Sequence, residues 1–153
     1  MAPLLKVDGI KTEFKTEKGT VTSVDNVSFE LNEGETICLV GESGCGKSVT
    51  SLSIMQLLER NGKVSQGSIE FEQTNLLDLT EAEMRKIRGN RISMIFQEPM
   101  TSLNPVLTIG DQLTESIRLH MGYGKKQAKA YAVEMLNKVG IPRAEEIFGD
   151  YPH

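Results

Sequence analysis

Residues 39–50 read LVGESGCGKSVT, and residues 41–48 are spaced as G-x-x-x-x-G-K-S. A phosphate group is held by backbone N–H donors crowded into a tight concave loop, and side chains block that approach. Gly41, Gly44 and Gly46 suit such a close-contact turn. A helix starting near Lys47 adds its positive N-terminal end. The Lys47 ammonium would reach the β- and γ-phosphates of a nucleoside triphosphate, and the Ser48 hydroxyl would ligate Mg²⁺. The expected binding run is Gly41, Glu42, Ser43, Gly44, Cys45, Gly46, Lys47, Ser48 and Val49. Cys45 is either a small filler or a reactive thiol whose alkylation would compete with nucleotide. Cys38, in the apolar run just before the loop, reads as inert core.

This chemistry needs a buried strand before the loop and a helix after it. TICLV (36–40) is a continuous apolar run, suited to a strand buried on both faces of a parallel sheet. Residues 47–59 read as a helix ended by Asn61-Gly62. Upstream, residues 4–14 read as a strand bent near Gly9, a turn surrounds Gly19, and residues 24–31 are again strand-like. The region before the loop is therefore expected to be an antiparallel β unit. Downstream, GSIEFEQ alternates as a strand does. Thr80 and Glu83 form a capping box that opens a short helix stopping at Gly89. RISMIF (91–96) reads as another strand.

After Phe96 the chain becomes loop-like, with Pro99 and Pro105. Thr108 and Asp111 are expected to cap a helix with Leu113, Ile117 and Met121 on one side. A second helix, 124–139, carries Ala128, Tyr131, Ala132, Met135, Leu136 and Val139 on one buried face. Gly140 and Pro142 stop it. The division expected is a β/core region over 1–97 and a helical region over 98–153.

The chain has 153 residues, enough for one domain with a real core. The formal net charge of −4 does not favour nucleic acid. The two cysteines form no CxxC pair, so neither a disulfide framework nor a cysteine metal site is expected, and a reducing cytosol fits. MAPLLKVDG has no long apolar core or cleavage site, so no signal peptide is expected. No apolar run approaches the roughly 20 residues of a membrane helix, so any membrane link is expected through a partner.

GESGCGKSVTS followed by MIFQEPMTSLNP resembles the ATP-binding-cassette (ABC) ATPases, in the branch that powers di- and oligopeptide import in bacteria. The resemblance covers essentially the whole chain. It implies an α/β P-loop NTPase fold of the ABC type, with an N-terminal antiparallel β unit and the start of a helical subdomain. It implies ATP and Mg²⁺ as cofactors and a peripheral place on the cytoplasmic face of the membrane. The implied partners are membrane-spanning permease subunits, a second ATPase subunit (a homo- or heterodimer) and, indirectly, an extracellular peptide-binding protein. Gln97 matches the glutamine that, in this family, contacts Mg²⁺ and the attacking water. Phe14 aligns with the aromatic that stacks on adenine; a core phenylalanine is the competing reading. Residues 98–105 resemble the loop beside the permease coupling helix, or are a plain surface loop.

The sequence departs from the family by stopping at Tyr151-Pro152-His153. The signature loop, the Walker B aspartate, the adjacent glutamate and the switch histidine do not occur; His153 matches the residue just before the signature stretch. SMIFQE is not a Walker B strand, because Gln97 stands where a carboxylate is needed. The expectation is an N-terminal portion of a longer subunit, with an incomplete sheet, exposed apolar faces on TICLV and RISMIF, and no hydrolysis by these residues alone. The other readings are a non-catalytic nucleotide-binding module, a motor for another solute such as nickel, and, without an NKxD motif, a GTPase.

Overall fold

The computed structural model describes residues 2–98 and 102–153. It divides into two compact units, one running up to Arg85 and the other spanning Lys86–His153.

The first unit is built on strands β1 (Leu5–Thr16), β2 (Gly19–Leu31), β3 (Gly62–Phe71) and β4 (Thr74–Asn75). They form one sheet in the order β2-β1-β3-β4, and every pairing is antiparallel. Alternation along β1 places Val7, Ile10 and Thr12 in the core, with Val24, Ile69 and Phe71 from its neighbours. The expected bend near Gly9 is present. The register of β1 shifts between Val7 and Ile10 against β2, and between Asp8 and Lys11 against β3. Gly9 has φ 57°, and its N–H donates to the Ser28 hydroxyl (2.7 Å). An extra residue in one strand of a pair bends that strand and sharpens its twist.

Helix α1 (Lys47–Ile54) follows the glycine loop and contributes Thr50 and Ser53 to the core. It is shorter than the expected 47–59. Gln56 adopts a left-handed φ of 50°, which an α-helix cannot continue, and its carboxamide donates to the Leu76 carbonyl across the core. A 3₁₀ turn, Leu76–Asp78, and helix α2 (Glu81–Ile87) complete the unit. The capping box forms as expected: Thr80 N–H donates to the Glu83 carboxylate (2.8 Å), and Glu83 N–H donates back to the Thr80 hydroxyl (3.4 Å).

Two expected strands are absent. TICLV (36–40) forms no strand, and all five residues are exposed, Val40 at 87%. RISMIF (91–96) makes only an isolated bridge between Arg88 and Ile92, and Ile95 is 98% exposed. The physical reason is pairing. A continuous apolar run specifies burial, but a strand exists only where a neighbour completes its hydrogen bonds, and among the described residues nothing pairs with 36–40. The expected apolar exposure is observed throughout 36–40 and at Ile95 and Phe96, whereas Ile92 and Met94 are half-buried. Cys38, expected as inert core, is an exposed free thiol for the same reason.

The second unit holds α3 (Ile109–Met121), α4 (Lys125–Lys138) and the short α5 (Ala144–Ile147). Thr108 caps α3: its hydroxyl accepts from Asp111 N–H (3.1 Å) and donates to the Asp111 carboxylate (2.8 Å). Leu113 and Ile117 are half-buried, whereas Met121 is exposed at the helix end. On α4, Ala128 and Ala132 are fully buried, with Tyr131, Met135 and Leu136 half-buried beside them. Val139 falls off this face, because the helix ends at Lys138 and Val139 is its C-cap. Tyr123 meets Tyr131 edge to face at 5.9 Å where α3 turns into α4. Helix α5 was not expected from the sequence. Its Phe148 ring covers Gly110, whose missing side chain makes room, and Gly110 N–H donates to the Phe148 carbonyl (2.9 Å).

Candidate nucleotide-binding site

The glycine loop enters α1 through Gly46, which has φ 92° and offers no side-chain cap. A Cβ on Gly46 would stand 2.5 Å from the Ser23 carbonyl oxygen, so only glycine fits between the loop and β2. A Cβ on Gly41 would stand 2.6 Å from the Cys45 sulfur. The loop is thus tight at Gly41 and Gly46, whereas a Cβ on Gly44 would meet nothing within 4 Å. The first N–H groups of α1 have no partner within the helix and point out of its start. The Thr50 hydroxyl donates to the Gly46 carbonyl (2.9 Å) and its N–H to the same oxygen (2.8 Å), which ties the loop to the first turn.

Lys47 folds over this loop. Its ammonium donates to the carbonyls of Gly41 (2.8 Å) and Glu42 (2.6 Å) and lies 3.4 Å from the Cys45 sulfur. Phosphate oxygens are stronger acceptors than amide carbonyls, so the same ammonium can exchange these bonds for a phosphate. Glu42, Ser43, Cys45 and Ser48 are exposed, and Val49 is half-buried on the first turn. Gly41 and Gly46 where a Cβ would clash, a helix start without a side-chain cap, the Lys47 ammonium over the loop and an exposed hydroxyl at Ser48 form a donor set that fits a Mg²⁺-bound polyphosphate.

Helix α1 is seated on the sheet by a polar contact that sequence reasoning missed. The Thr12 and Ser53 hydroxyls lie 2.9 Å apart in the core, and both residues are fully buried. The signal was present as hydroxyls in TSLS, where a helix facing a sheet is normally apolar. The Ser23 carbonyl under Gly46 left no sequence signal.

Phe14, the candidate adenine platform, sits in β1 opposite Val21 on β2 and Gly62 on β3. Its half-buried ring lies across Gly62, where a Cβ would be 2.5 Å from Cε1. Gln97 lies in an exposed bend of the second unit. Pro99, Met100 and Thr101, part of the stretch read as the coupling loop, lie outside the described residues. Among the described residues, no helix is long and apolar enough to cross a membrane.

The ABC transporter family profile matches residues 24–152. The chain is 54% identical, over its full length, to the oligopeptide transport ATP-binding protein AppD of Bacillus subtilis, covering 47% of that protein. It is 51% identical to the oligopeptide transport ATP-binding protein OppD of Haemophilus influenzae, again over all of this chain and 47% of that one. The chain thus spans about half the length of the curated relatives it matches. Its fold is similar to a solved dimeric structure of the ATP-binding cassette MJ0796 bound to ADP and Pi, with a TM-score of 0.82 and 22% identity, over 97% of this chain and 61% of that one. The family profile covers the glycine loop and the helical unit, and the chain belongs to the ABC transporter family.

Proposed function

We propose that these residues are the N-terminal part of one ABC ATPase domain, in a motor subunit that couples ATP binding and hydrolysis to peptide import across the bacterial cytoplasmic membrane. The proposed nucleotide-binding core, 1–97, takes in the whole first compact unit and the start of the second, and 98–153 begin the helical subdomain. The observation that carries this reading is the 54% identity with an oligopeptide transport ATP-binding protein over the whole chain.

The bound nucleotide supplies the phosphoanhydride whose cleavage drives the cycle. The chain's own contribution is binding and orientation. Backbone N–H groups of the loop and first turn of α1 would hold the phosphates, with the Lys47 ammonium, now on the Gly41 and Glu42 carbonyls, within the same loop to meet them. The residues that would hold the metal are Ser48, through its hydroxyl, and Gln97, whose amide would also orient water, and Phe14 would offer its ring to the adenine. The subunit works peripherally on the cytoplasmic face, paired with a second ATPase subunit and docked on permease subunits. An extracellular binding protein delivers the peptide.

The test is reconstitution of the full-length subunit with its permease partners in vesicles. ATP-dependent uptake of labelled oligopeptides, abolished by Lys47→Ala, is the expected result. Uptake of nickel with no peptide transport overturns the substrate assignment.

A further inference from the structure

Gly62 opens β3 opposite Phe14, and its missing side chain decides where the Phe14 ring lies. A Cβ on Gly62 would stand 2.5 Å from Cε1 of that ring, 2.9 Å from Cδ1 and 3.2 Å from Cζ. Non-bonded carbon atoms rest about 3.5–4.0 Å apart, so the ring lies there only because residue 62 has no side chain. Hydrogen bonds hold the two residues in this register. Lys15 N–H donates to the Asn61 carbonyl (2.8 Å), and the Asn61 carboxamide donates to the Lys15 carbonyl (3.2 Å). Gly62 N–H donates to the Glu59 carbonyl (2.8 Å). The residue after Phe14 is thereby tied to the residue before Gly62.

The ring is on the side of the sheet that carries the glycine loop. Thr12, Glu13 and Phe14 pair in unbroken register with Val64, Lys63 and Gly62. Alternation puts Phe14 on the same face as Thr12, whose hydroxyl meets Ser53 of α1. On the other edge, Phe14 pairs with Val21, and two residues along β2 the Ser23 carbonyl lies against Gly46.

We propose that Gly62 is a positioning residue for the nucleotide: it lets the Phe14 ring lie back on β3 and so leaves the opposite ring face open to a planar base. This rests on the proposed nucleotide site, with Phe14 as its base platform. Gly62 is outside the left-handed region, so an alanine there carries no backbone strain. Its methyl group acts on the ring, which it pushes about 1 Å off β3.

The test uses the full-length subunit and two ligands, MgATP and magnesium tripolyphosphate, which carries phosphates without a base. Calorimetric titration compares wild type, Gly62→Ala, Phe14→Ala and the double variant. In Gly62→Ala, ATP affinity should fall by about tenfold and tripolyphosphate affinity should stay within about twofold. In the Phe14→Ala background, Gly62→Ala should change neither, because the ring through which it acts is gone. Unchanged ATP affinity in Gly62→Ala, an equal loss for both ligands, or a further loss in the double variant overturns the proposal. A second measurement does not depend on any variant folding. In the wild-type ATP complex, nuclear Overhauser contacts should join the Phe14 ring protons to Gly62 Hα and to the adenine protons. Contact with adenine but not with Gly62 overturns the proposal. Failure of the underlying reading looks different: wild type then binds neither ligand, or Phe14→Ala binds ATP as wild type does.

Discussion

The Thr12 and Ser53 hydroxyls meet at 2.9 Å in the core, between β1 and the helix that carries the glycine loop. Ser53 also donates to the Val49 carbonyl (2.7 Å). A hydroxyl has one proton, so Thr12 is the donor to Ser53. The two possible deletions are therefore unequal. Thr12→Val leaves Ser53 with its Val49 partner and should cost about 1 kcal/mol. Ser53→Ala strands a buried Thr12 donor and should cost roughly 1–3 kcal/mol. Urea unfolding of both variants checks this; equal midpoints would show that the pair does not anchor α1.

Gly46 should tolerate no side chain. Its φ of 92° disfavours any L-residue, and a Cβ would press on the Ser23 carbonyl. Gly46→Ala should cost about 1–3 kcal/mol and shift the first turn of α1 away from β2. Calorimetric titration with ATP should then show affinity lower by about tenfold or more. Unchanged affinity with unchanged stability would mean that the loop approaches β2 less closely than described.

What the sequence made legible was local. The capping box of Thr80 and Glu83 and the Thr108 cap each announce themselves within four residues, because their partners are neighbours in the chain. The bend at Gly9 is legible for the same reason. The tight turn through Gly46 into α1 is legible because a left-handed, close-contact position restricts the residue type to glycine. What failed was non-local. TICLV and RISMIF have strand composition, but pairing depends on distant neighbours that composition does not name. The early end of α1 follows from Gln56 turning toward Leu76, twenty residues away in sequence. The anchoring of α5 depends on Gly110 accommodating Phe148, which no short-range pattern encodes.

Glu13 gives the sheet an acid-sensitive contact. The Ser65 hydroxyl beside it, and then the Lys11 ammonium at 3.1 Å, hold its carboxyl below the ordinary value of 4.5. A lowered folded value means that the unfolded chain takes up the proton first. The stabilisation is complete above about pH 4.5 and is lost as pH falls through the lower folded value. Glu13→Gln should flatten the acid limb of the stability profile and leave it unchanged at neutral pH relative to its own plateau. Parallel acid limbs for the two proteins would remove Glu13 from this role.

Lys47 is the proposed phosphate contact of the glycine loop. Its ammonium already rests on the carbonyls of Gly41 and Glu42, so Lys47→Ala leaves those oxygens to water at the loop surface and costs little stability. It removes the proposed charge-assisted contact to the phosphates, and ATP affinity should fall by about a hundredfold. A polypeptide of these 153 residues should bind ATP without steady turnover. Gln97 offers an amide where activation of water needs a base, and a neutral amide orients water but does not take its proton. Phosphate release assays on the purified polypeptide and on Lys47→Ala decide the point. Turnover that is present in the first and lost in the second would place a catalytic base within these residues and overturn that expectation.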